Sequence, residues 1–370
     1  MLVNPVRRAA AIAVAARVPL LLWGPPGAGK TSALQEMAEA AELLCEVVIA
    51  SIRDPSDFAG LPIVADGAVT MAPPSWARRL ADRGSGVLFL DEISTAPPAV
   101  QAALLRVVLE RCVGDLMLPD GVAVVAAANP PEQAADGWDL SAPLSNRFCH
   151  LDWSITAREW ADGMVAGFTP MPLPVLDHTQ LAKLTQRHQG MIGAFVVGRS
   201  GLLHAVPTDA TLIGRAWPSP RSWAMAGRLA AAAELSGADE KTTSLLLSGA
   251  VGPGAAIEYL AWRNDANAPD PEAVLANPDE FVVPERGDRA FAALSAITGA
   301  VLADNTPGRW TAAWRAIAQG VTAGHADIAV VSIKVLVANR PKGAMPPPDV
   351  LMKIAPVLKQ AGLFDRIMGT

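Results

Sequence analysis

The stretch "LLLWGPPGAGKTSAL", residues 20–34, passes from apolar residues through a turn rich in glycine and proline into a helix-forming segment. Its central part, residues 24–31, fits the pattern G-x-x-x-x-G-K-[ST]. The pattern predicts a buried strand from Pro19 to Trp23, a loop that holds phosphate, and a helix from about Thr31 to Leu44. A tight turn without a ligand is the alternative, but the flanking strand and helix favour the phosphate loop.

The predicted loop has the chemistry that a nucleotide needs. Glycine has no Cβ, so backbone N–H groups can turn toward a β-phosphate, and the following helix adds the positive end of its dipole. The Lys30 ammonium can reach the β- and γ-phosphates, and the Thr31 hydroxyl can ligate Mg²⁺. The predicted nucleotide-binding residues are consecutive: Gly24, Pro25, Pro26, Gly27, Ala28, Gly29, Lys30, Thr31 and Ser32. The sequence has no N-K-x-D motif for guanine, so ATP is the expected nucleotide.

A second motif, "GVLFLDEIS" at residues 86–94, ends an apolar run in two acids. A continuous apolar run predicts a parallel strand that is covered on both faces. Asp91 would hold the Mg²⁺ through water, and Glu92 would orient and polarise the attacking water. The alternative is that both acids cap the next helix. A glutamate directly after the aspartate favours hydrolysis over phosphoryl transfer to a small acceptor.

Another predicted buried strand, "GVAVVAAANP" at residues 121–130, ends in Asn129. Parallel sheets bind ligands in the crevice beyond the carboxyl ends of their strands. An amide at that edge can hydrogen-bond the γ-phosphate or the lytic water. The alternative is an Asn-Pro turn, which is common.

Arg147 lies in "SAPLSNRFCHLDW", residues 141–153, after a short helical stretch and before a predicted strand at residues 148–151. An arginine at this place cannot easily reach the phosphates of its own subunit, but it could face those of a neighbour. An arginine supplied from outside raises phosphoryl-transfer rates by about 10³–10⁵-fold. A surface salt bridge is the equally weighted alternative.

Arg221 lies in the first turn of a helix predicted within "AWPSPRSWAMAGRLAAAAEL", residues 216–235. Ser219 is the expected N-cap, and Pro220 suits the first helical position. A cation in the first turn opposes the helix dipole. Its placement therefore suggests an external anion, such as a γ-phosphate.

Together these motifs resemble the AAA+ ATPases and, within them, the MoxR-like branch, over residues 20–223. The segment at residues 54–62 is similar to the place where this branch carries an inserted hairpin, and residues 100–113 are similar to its helix after Walker B. The resemblance implies these roles: Lys30 and Thr31 as Walker A, Asp91 and Glu92 as Walker B, Asn129 as sensor 1, Arg147 as the arginine finger, and Arg221 as sensor 2.

The expected fold is an α/β P-loop AAA+ core with a parallel sheet flanked by helices, followed by an all-α lid and a helical C-terminal extension. The core is expected at residues 1–153, the lid at 154–264, and a linker with the extension at 265–370. Strand signals fade after about Ser154, and apolar residues then recur at helical spacing. Proline and acidic residues concentrate in 263–290, which predicts a linker with one short helix.

The resemblance implies a Mg²⁺-dependent ATPase that assembles with itself as a ring, with a hexamer expected, and remodels a protein partner like a chaperone. Relatives commonly act with a protein that carries a von Willebrand factor A domain. This sequence has no D-x-S-x-S metal motif, so such a domain must lie on another chain. The first alternative is a nucleic-acid-stimulated motor or loader. A nucleotide-gated scaffold with little turnover is the second, and Glu92 disfavours it.

The amino-acid composition narrows the set of possible functions. A formal net charge of −6 argues against sequence-blind binding of nucleic acid, which needs a basic face. The three cysteines are scattered, so we expect reduced thiols in a cytoplasmic protein. The five histidines show no metal-ligand spacing. Arg17 interrupts the apolar N-terminal stretch, so a helix from about Pro5 to Arg17 is expected there in place of a signal peptide. No uncharged apolar stretch reaches the roughly 18–20 residues of a membrane span.

Overall fold

The computed structural model describes residues 4–65, 67–130, 140–265, 269–364 and 367. The chain divides into two compact units, Met1–Leu176 with His204–Ile257 and Asp177–Leu203 with Glu258–Thr370. These bounds differ from the division at residues 153 and 264, which stays a prediction.

The strands of the described chain all lie in the first unit. They are β1 Leu20–Trp23, β2 Leu44–Ile49, β3 Leu61–Ala65, β4 Ala68–Ala72, β5 Ser85–Asp91, β6 Cys112–Val113, β7 Leu116–Met117, β8 Gly121–Ala128 and β9 Cys149–Asp152. Five of them form one sheet in the order β2-β5-β8-β1-β9. Every pair in that sheet is parallel, as the continuous apolar runs predict. The expected P-loop core with a parallel sheet is therefore confirmed.

Helices surround the sheet of the first unit and make up the second. They are α1 Pro5–Ala15, α2 Lys30–Ala40, α3 Ser56–Ala59, α4 Ser75–Arg83, α5 Pro98–Glu110, α6 Ala142–Ser145, α7 Ala157–Ala166, α8 His178–Gly198, α9 Ala210–Ile213, α10 Pro220–Leu235, α11 Glu240–Val251, α12 Pro253–Asp265, α13 Pro271–Ala276, α14 Gly287–Ala303, α15 Pro307–Thr322, α16 Ala326–Ala338 and α17 Pro348–Gln360.

Two helices end earlier than the sequence patterns predict. The helix after the phosphate loop ends at Ala40, because Glu42 has a φ of 55° and the chain then enters β2. The first helix ends at Ala15, and Arg17 follows with a φ of 58°. A non-glycine residue in this left-handed region cannot continue a right-handed helix. Both turns point the chain directly into a strand of the central sheet.

The first unit has one main apolar core between the sheet and its helices. Side chains from β1, β5 and β8 meet the inner faces of α4 and α5 there, including Leu21, Leu88, Val124, Leu80 and Leu104, each 0–2% exposed. Close packing of such side chains fixes the strands in register. Because the same strands end at the same edge, the residues that follow them are brought together.

A two-stranded antiparallel hairpin, β3 and β4, projects from the first unit at the place where the resemblance implies an inserted hairpin. Gly60 begins it with a φ of 85°, and a Cβ there would lie 2.8 Å from the Gly114 Cα. Three of its apolar side chains are largely solvent-exposed, with Leu61 at 60%, Val64 at 79% and Val69 at 67%. Exposed apolar surface of this kind often marks an interaction site.

The second unit is helical throughout its described part, which confirms the predicted helical C-terminal region. Its core contains two fully buried tryptophans, Trp310 and Trp314, whose rings meet edge to face at 5.5 Å. The Trp310 indole N–H donates to the Leu336 carbonyl at 2.9 Å. The predicted linker contains the short helix α13 and a 3-10 turn at Pro278–Glu280. Within the described chain, none of the helices combines the length and the apolar character that crossing a bilayer requires.

Candidate functional site

The loop after β1 has the backbone that phosphate binding requires. Gly24 passes so close to the Trp153 carbonyl that a Cβ would lie 2.5 Å from its oxygen. Gly27 and Gly29 have φ values of 76° and 77°, a region that side chains with a Cβ rarely adopt. Helix α2 begins at Lys30, and no side chain caps its N-terminus. The first N–H groups of that helix are therefore available to an anion.

The Lys30 ammonium lies inside this loop. Its Nζ donates to the Gly24 and Pro25 carbonyls at 2.6 and 3.1 Å, and to Asn129 Oδ1 at 3.2 Å. Burial lowers the pKa of Lys30, and the nearby carboxylates of Asp91 and Glu92 act in the opposite direction. The structure thus places Lys30 near Asp91, Glu92 and Asn129, because β1, β5 and β8 end at one edge of the sheet.

Asp91 and Thr31 supply a pair of hard oxygen donors. Asp91 is the last residue of β5, and its Oδ2 accepts a hydrogen bond from Thr31 Oγ1 at 2.9 Å. Mg²⁺ usually takes one or two protein oxygens and completes its shell with water and substrate phosphates. In the part of the chain that is described, no cluster of three or more His, Cys, Asp or Glu side chains forms a separate metal site. Thr31 Oγ1 and Asp91 Oδ2, as hard oxygen donors, fit a magnesium ion that binds with a nucleotide.

Glu92 has a backbone conformation that is uncommon outside glycine, with a φ of 57°. Its N–H donates to Asp91 Oδ1 at 3.0 Å, and its carbonyl accepts from Thr95 Oγ1 at 2.9 Å. Ser51 Oγ donates to Glu92 Oε2 at 2.5 Å. Strained residues that the surroundings hold in place cluster at functional sites. Two hydrogen bonds thus hold the backbone of Glu92 next to Asp91, and one bond from Ser51 orients its carboxylate.

Sequence reasoning missed Ser51. This residue lies in the 3-10 turn Ala50–Ile52, directly after β2. Its signal was a polar residue at the end of a strand that neighbours β5, but the strand order was needed to see it. The same edge rule that predicted Asn129 would have included Ser51 if the position of β2 beside β5 had been deduced.

Asn129 follows β8 and faces the loop. Its side-chain oxygen accepts from Lys30, and its backbone N–H donates to Ser94 Oγ at 3.2 Å. Asn129 therefore lies within the predicted site. Pro130 follows it in the sequence, so the alternative of an Asn-Pro turn also stays open. Residues 131–139, which follow, lie outside the described part of the chain.

The structure brings Arg147 and Arg221 close to each other. Burial lowers the pKa of Arg147, and the positive charge of Arg221 lowers it further. Arg147 donates to the Pro143 carbonyl, and its buried Nε has no hydrogen-bond partner among the described residues. Within that part of the chain, Arg147 makes no ion pair, so the salt-bridge alternative gains no support. Neither arginine hydrogen-bonds a loop residue there, and their catalytic roles stay predictions.

The predicted start of the Arg221 helix is observed. Ser219 Oγ accepts from the Ser222 N–H at 3.1 Å, and Ser222 Oγ accepts from the Ser219 N–H at 2.8 Å. These reciprocal bonds form a capping box at the first turn of α10. Arg221 is exposed there, which leaves its guanidinium accessible to an anion.

A second contact to the loop, from Trp153, was also missed. The Trp153 indole N–H donates to the Ala28 carbonyl at 3.1 Å, and the Arg7 guanidinium lies 5.5 Å from the centre of its ring. Arg7 also lines a cavity of about 480 Å³, together with Asn4, Glu159, Phe168 and others. Trp153 follows β9 directly, so its only sequence signal was its place after a strand.

A buried histidine joins the loop strand to the Arg147 segment. Trp23 Nε1 donates to His150 Nδ1 at 2.9 Å, and His150 Nε2 donates to the Ser145 carbonyl at 2.9 Å. A neutral imidazole satisfies both bonds, whereas an imidazolium would repel the indole N–H. Burial lowers the pKa of His150 to about 4 from its ordinary 6.5.

Acid is therefore expected to destabilise the first unit through His150. The unfolded chain takes up the proton near pH 6.5 and the folded chain only near pH 4. The contribution of neutral, buried His150 to the free energy of unfolding is complete above pH 6.5. It is lost as the pH falls toward 4, by about 3 kcal/mol in total. Urea unfolding between pH 7 and pH 4 measures this loss. His150→Asn should flatten that part of the profile, whereas the same change at exposed His204 should not; equal profiles would contradict the assignment.

The geometry can be compared with known proteins. Residues 19–148 match the model of the AAA domain (dynein-related subfamily). This range contains β1, β5 and β8 with the loop, Asp91, Glu92 and Asn129. The nucleotide-binding part of the chain is therefore similar to an AAA domain, which supports the predicted AAA+ core.

Similarity to individual proteins is more limited. The chain is 31% identical over 121 residues to the "Pathogenicity locus probable regulatory protein WtsA" of Pantoea stewartii subsp. stewartii. That match covers 31% of this chain and 38% of the relative, so it spans about two fifths of the relative's length.

Two solved structures are similar at low identity. One is a "putative ATPase" from Cytophaga hutchinsonii, with 18% identity, a TM-score of 0.42, and coverage of 66% of this chain and 80% of that one. The other is a full-length MCM homolog from Methanopyrus kandleri, with 17% identity, a TM-score of 0.41, and coverage of 70% and 54%.

Proposed function

We propose that this chain binds and hydrolyses ATP with Mg²⁺ and uses the energy to remodel a protein partner. The observation that carries the ATPase proposal is the meeting of Lys30, Thr31, Asp91, Glu92 and Asn129 at one edge of the parallel sheet. The match of residues 19–148 to an AAA domain supports it. Each of these side chains has the chemistry that one part of phosphoryl transfer to water requires.

The proposed roles follow from the contacts. The Lys30 ammonium, which now rests on loop carbonyls, exchanges them for phosphate oxygens. Thr31 and Asp91 would hold a Mg²⁺, which would neutralise charge on the phosphates when it binds with the nucleotide. Glu92, fixed by Ser51, takes up the proton of the attacking water, and Asn129 donates a hydrogen bond to the γ-phosphate or the water. A proton acceptor held near its target contributes about 10²–10⁴-fold to the rate.

The cavity that Arg7 lines is a candidate place for the nucleobase. Its neighbour Trp153 bonds the phosphate loop at Ala28, so a nucleotide with its phosphates in the loop would have an aromatic ring and a largely apolar space within reach. Such lining suits an adenine ring, which needs stacking and few polar contacts.

We further propose that the site is shared between copies of the chain. Arg147 and Arg221 have no hydrogen bond to the loop of their own chain among the described residues, yet both present positive charge. A triphosphate bound by a second copy would supply the anion that they lack. The resemblance to MoxR-like proteins leads us to propose a ring, with a hexamer as the expected form.

The remodelling role rests on the resemblance and on one structural feature. The hairpin of β3 and β4 exposes Leu61, Val64 and Val69 to solvent. A hairpin with exposed apolar side chains can pack against an extended segment of a partner polypeptide. We propose a partner protein on a separate chain, such as one with a von Willebrand factor A domain.

Phosphate release with Mg²⁺ and ATP tests the ATPase proposal. Lys30→Ala is expected to weaken ATP binding by about 10–100-fold, because a hydrogen bond to a charged group contributes about 1.5–3 kcal/mol. Exposed Lys241 in α11 provides the control, and Lys241→Ala should leave binding and turnover unchanged. Turnover by the Lys30→Ala variant at the normal rate would contradict the proposed site.

The same phosphate-release assay distinguishes a protein remodeller from the alternative function, a nucleic-acid motor. That function predicts a faster rate with added DNA or RNA and a steep loss of the effect with salt. The net charge of −6 favours a flat response.

A further inference from the structure

Asn146 is a buried amide directly before Arg147, with 4% of its surface exposed. Its Nδ2 donates to the Trp217 carbonyl at 2.9 Å, and its Oδ1 accepts from Ser219 Oγ at 2.5 Å. The orientation of this amide is determined, because rotating it by half a turn would place two oxygens against each other at Trp217. Both ends of the side chain are thus bonded to the segment that leads into α10.

Neighbouring hydrogen bonds lie across this junction and within each of the two segments. Ser145 Oγ donates to the Ile213 carbonyl at 2.8 Å, and Ser222 Oγ donates to the Trp217 carbonyl at 3.0 Å. The Ser145 carbonyl accepts from buried His150. We call the bonds of Asn146 with Trp217 and Ser219 the Asn146 clamp. All of its residues belong to the first unit.

The Asn146 clamp lies between two cations. Arg147 is the next residue after Asn146, and Arg221 is two residues after Ser219. The two guanidinium groups repel each other, and Arg147 has no acidic partner among the described residues. Bonds that keep like charges close act against that repulsion. A buried polar network with every member satisfied also fixes one geometry, which apolar packing alone does not.

We propose that Asn146 is a positioning residue that sets Arg147 and Arg221 at the separation required by one triphosphate of a second copy. This inference rests on the proposed shared site. Asn146 touches neither nucleotide nor water in this role, since both ends of its amide are already bonded. It acts only through the two arginines.

Turnover and binding in the full chain test the positioning role. Asn146→Ala is expected to lower kcat by about 10²-fold, the effect of a misplacement of about 1 Å. The affinity for a fluorescent ATP analogue should stay within about twofold, because Lys30 and Thr31 are untouched. Ser222→Ala is the matched control: it removes a bond at the start of α10 but leaves the Asn146 clamp, and its kcat should stay within about threefold.

Two variants of Ser219 distinguish its role as the N-cap of α10 from its hydrogen bond to Asn146. Ser219→Thr keeps both the cap and the hydroxyl donor, so it should retain most of the turnover. Ser219→Asp keeps a good N-cap but has no proton to donate to Asn146 Oδ1, so it should lose turnover as Asn146→Ala does. Equal kcat values for Ser219→Thr and Ser219→Asp would overturn the proposal, as would a fall in Ser222→Ala that equals the fall in Asn146→Ala.

A measurement without catalysis keeps this inference distinct from the proposed function. Spin labels on the variants Arg147→Cys and Arg221→Cys, combined in one chain that also carries Cys45→Ser, report the separation of the two sites through dipolar broadening. Asn146→Ala should weaken and spread that coupling, whereas Ser222→Ala should not. If the chain does not hydrolyse ATP, the proposed function fails; unchanged coupling in Asn146→Ala overturns the positioning role in either case.

Discussion

Glu92→Gln is expected to lower ATP turnover by about 10³-fold while ATP still binds. The carboxylate is the proposed acceptor of the water proton, and an amide of the same shape cannot take it up. Lys30, Thr31 and Asp91 keep their contacts in this variant. Ser51 can still donate to the amide oxygen, so the left-handed backbone at Glu92 should persist. Glu92→Gln should therefore slow the hydrolysis step and leave ATP binding unchanged.

Single-turnover phosphate release and equilibrium binding of ATP measure these two effects separately. Glu39→Gln, at an exposed position of α2 in the same unit, removes an identical charge and should leave both unchanged. Turnover of Glu92→Gln within about threefold of the original would show that another group accepts the proton. Loss of ATP binding would instead assign Glu92 a structural role in the loop.

Much of this site was predictable because its parts are local patterns that repeat at one sheet edge. β5 and β8 are apolar runs that lead into the polar residues Asp91 and Asn129, and β1 is an apolar run that leads into the glycine-rich loop. Parallel strands place those ends side by side. That rule predicts that Lys30, Thr31, Asp91 and Asn129 lie near one another, whereas the individual hydrogen bonds between them depend on the order of the strands.

The missed residues share a different cause. Ser51 reaches Glu92 only because β2 lies next to β5, and strand order is a tertiary property. Trp153 reaches Ala28 from β9, 125 residues along the chain. The proximity of Arg147 and Arg221 likewise depends on how the segment before α10 folds back onto α6. Hydrophobic periodicity has no information about such pairings.

Arg147→Ala is expected to lower turnover by about 10³-fold or more and to spare ATP binding. An arginine that stabilises the charge of the transition state contributes about 10³–10⁵-fold when it comes from outside the phosphate site. Since Arg147 makes no hydrogen bond or ion pair with its own loop among the described residues, its loss should leave Lys30 and Asn129 in place. Binding of ATP and steady-state phosphate release give the two values.

Mixing variants shows whether the arginine serves another copy. The Arg147→Ala chain keeps its phosphate loop, and the Lys30→Ala chain keeps its arginine, so a contact between the two can contain one complete site. With equal amounts and random assembly, about a quarter of the contacts have that arrangement, and turnover should recover accordingly. Mixing Lys30→Ala with Glu92→Gln is the matched control, because both lesions lie in the same half of the site and no contact becomes complete. No recovery in the first mixture would mean that each chain hydrolyses ATP alone. Recovery in the control would contradict the placement of Lys30 and Glu92 in the same half of the site.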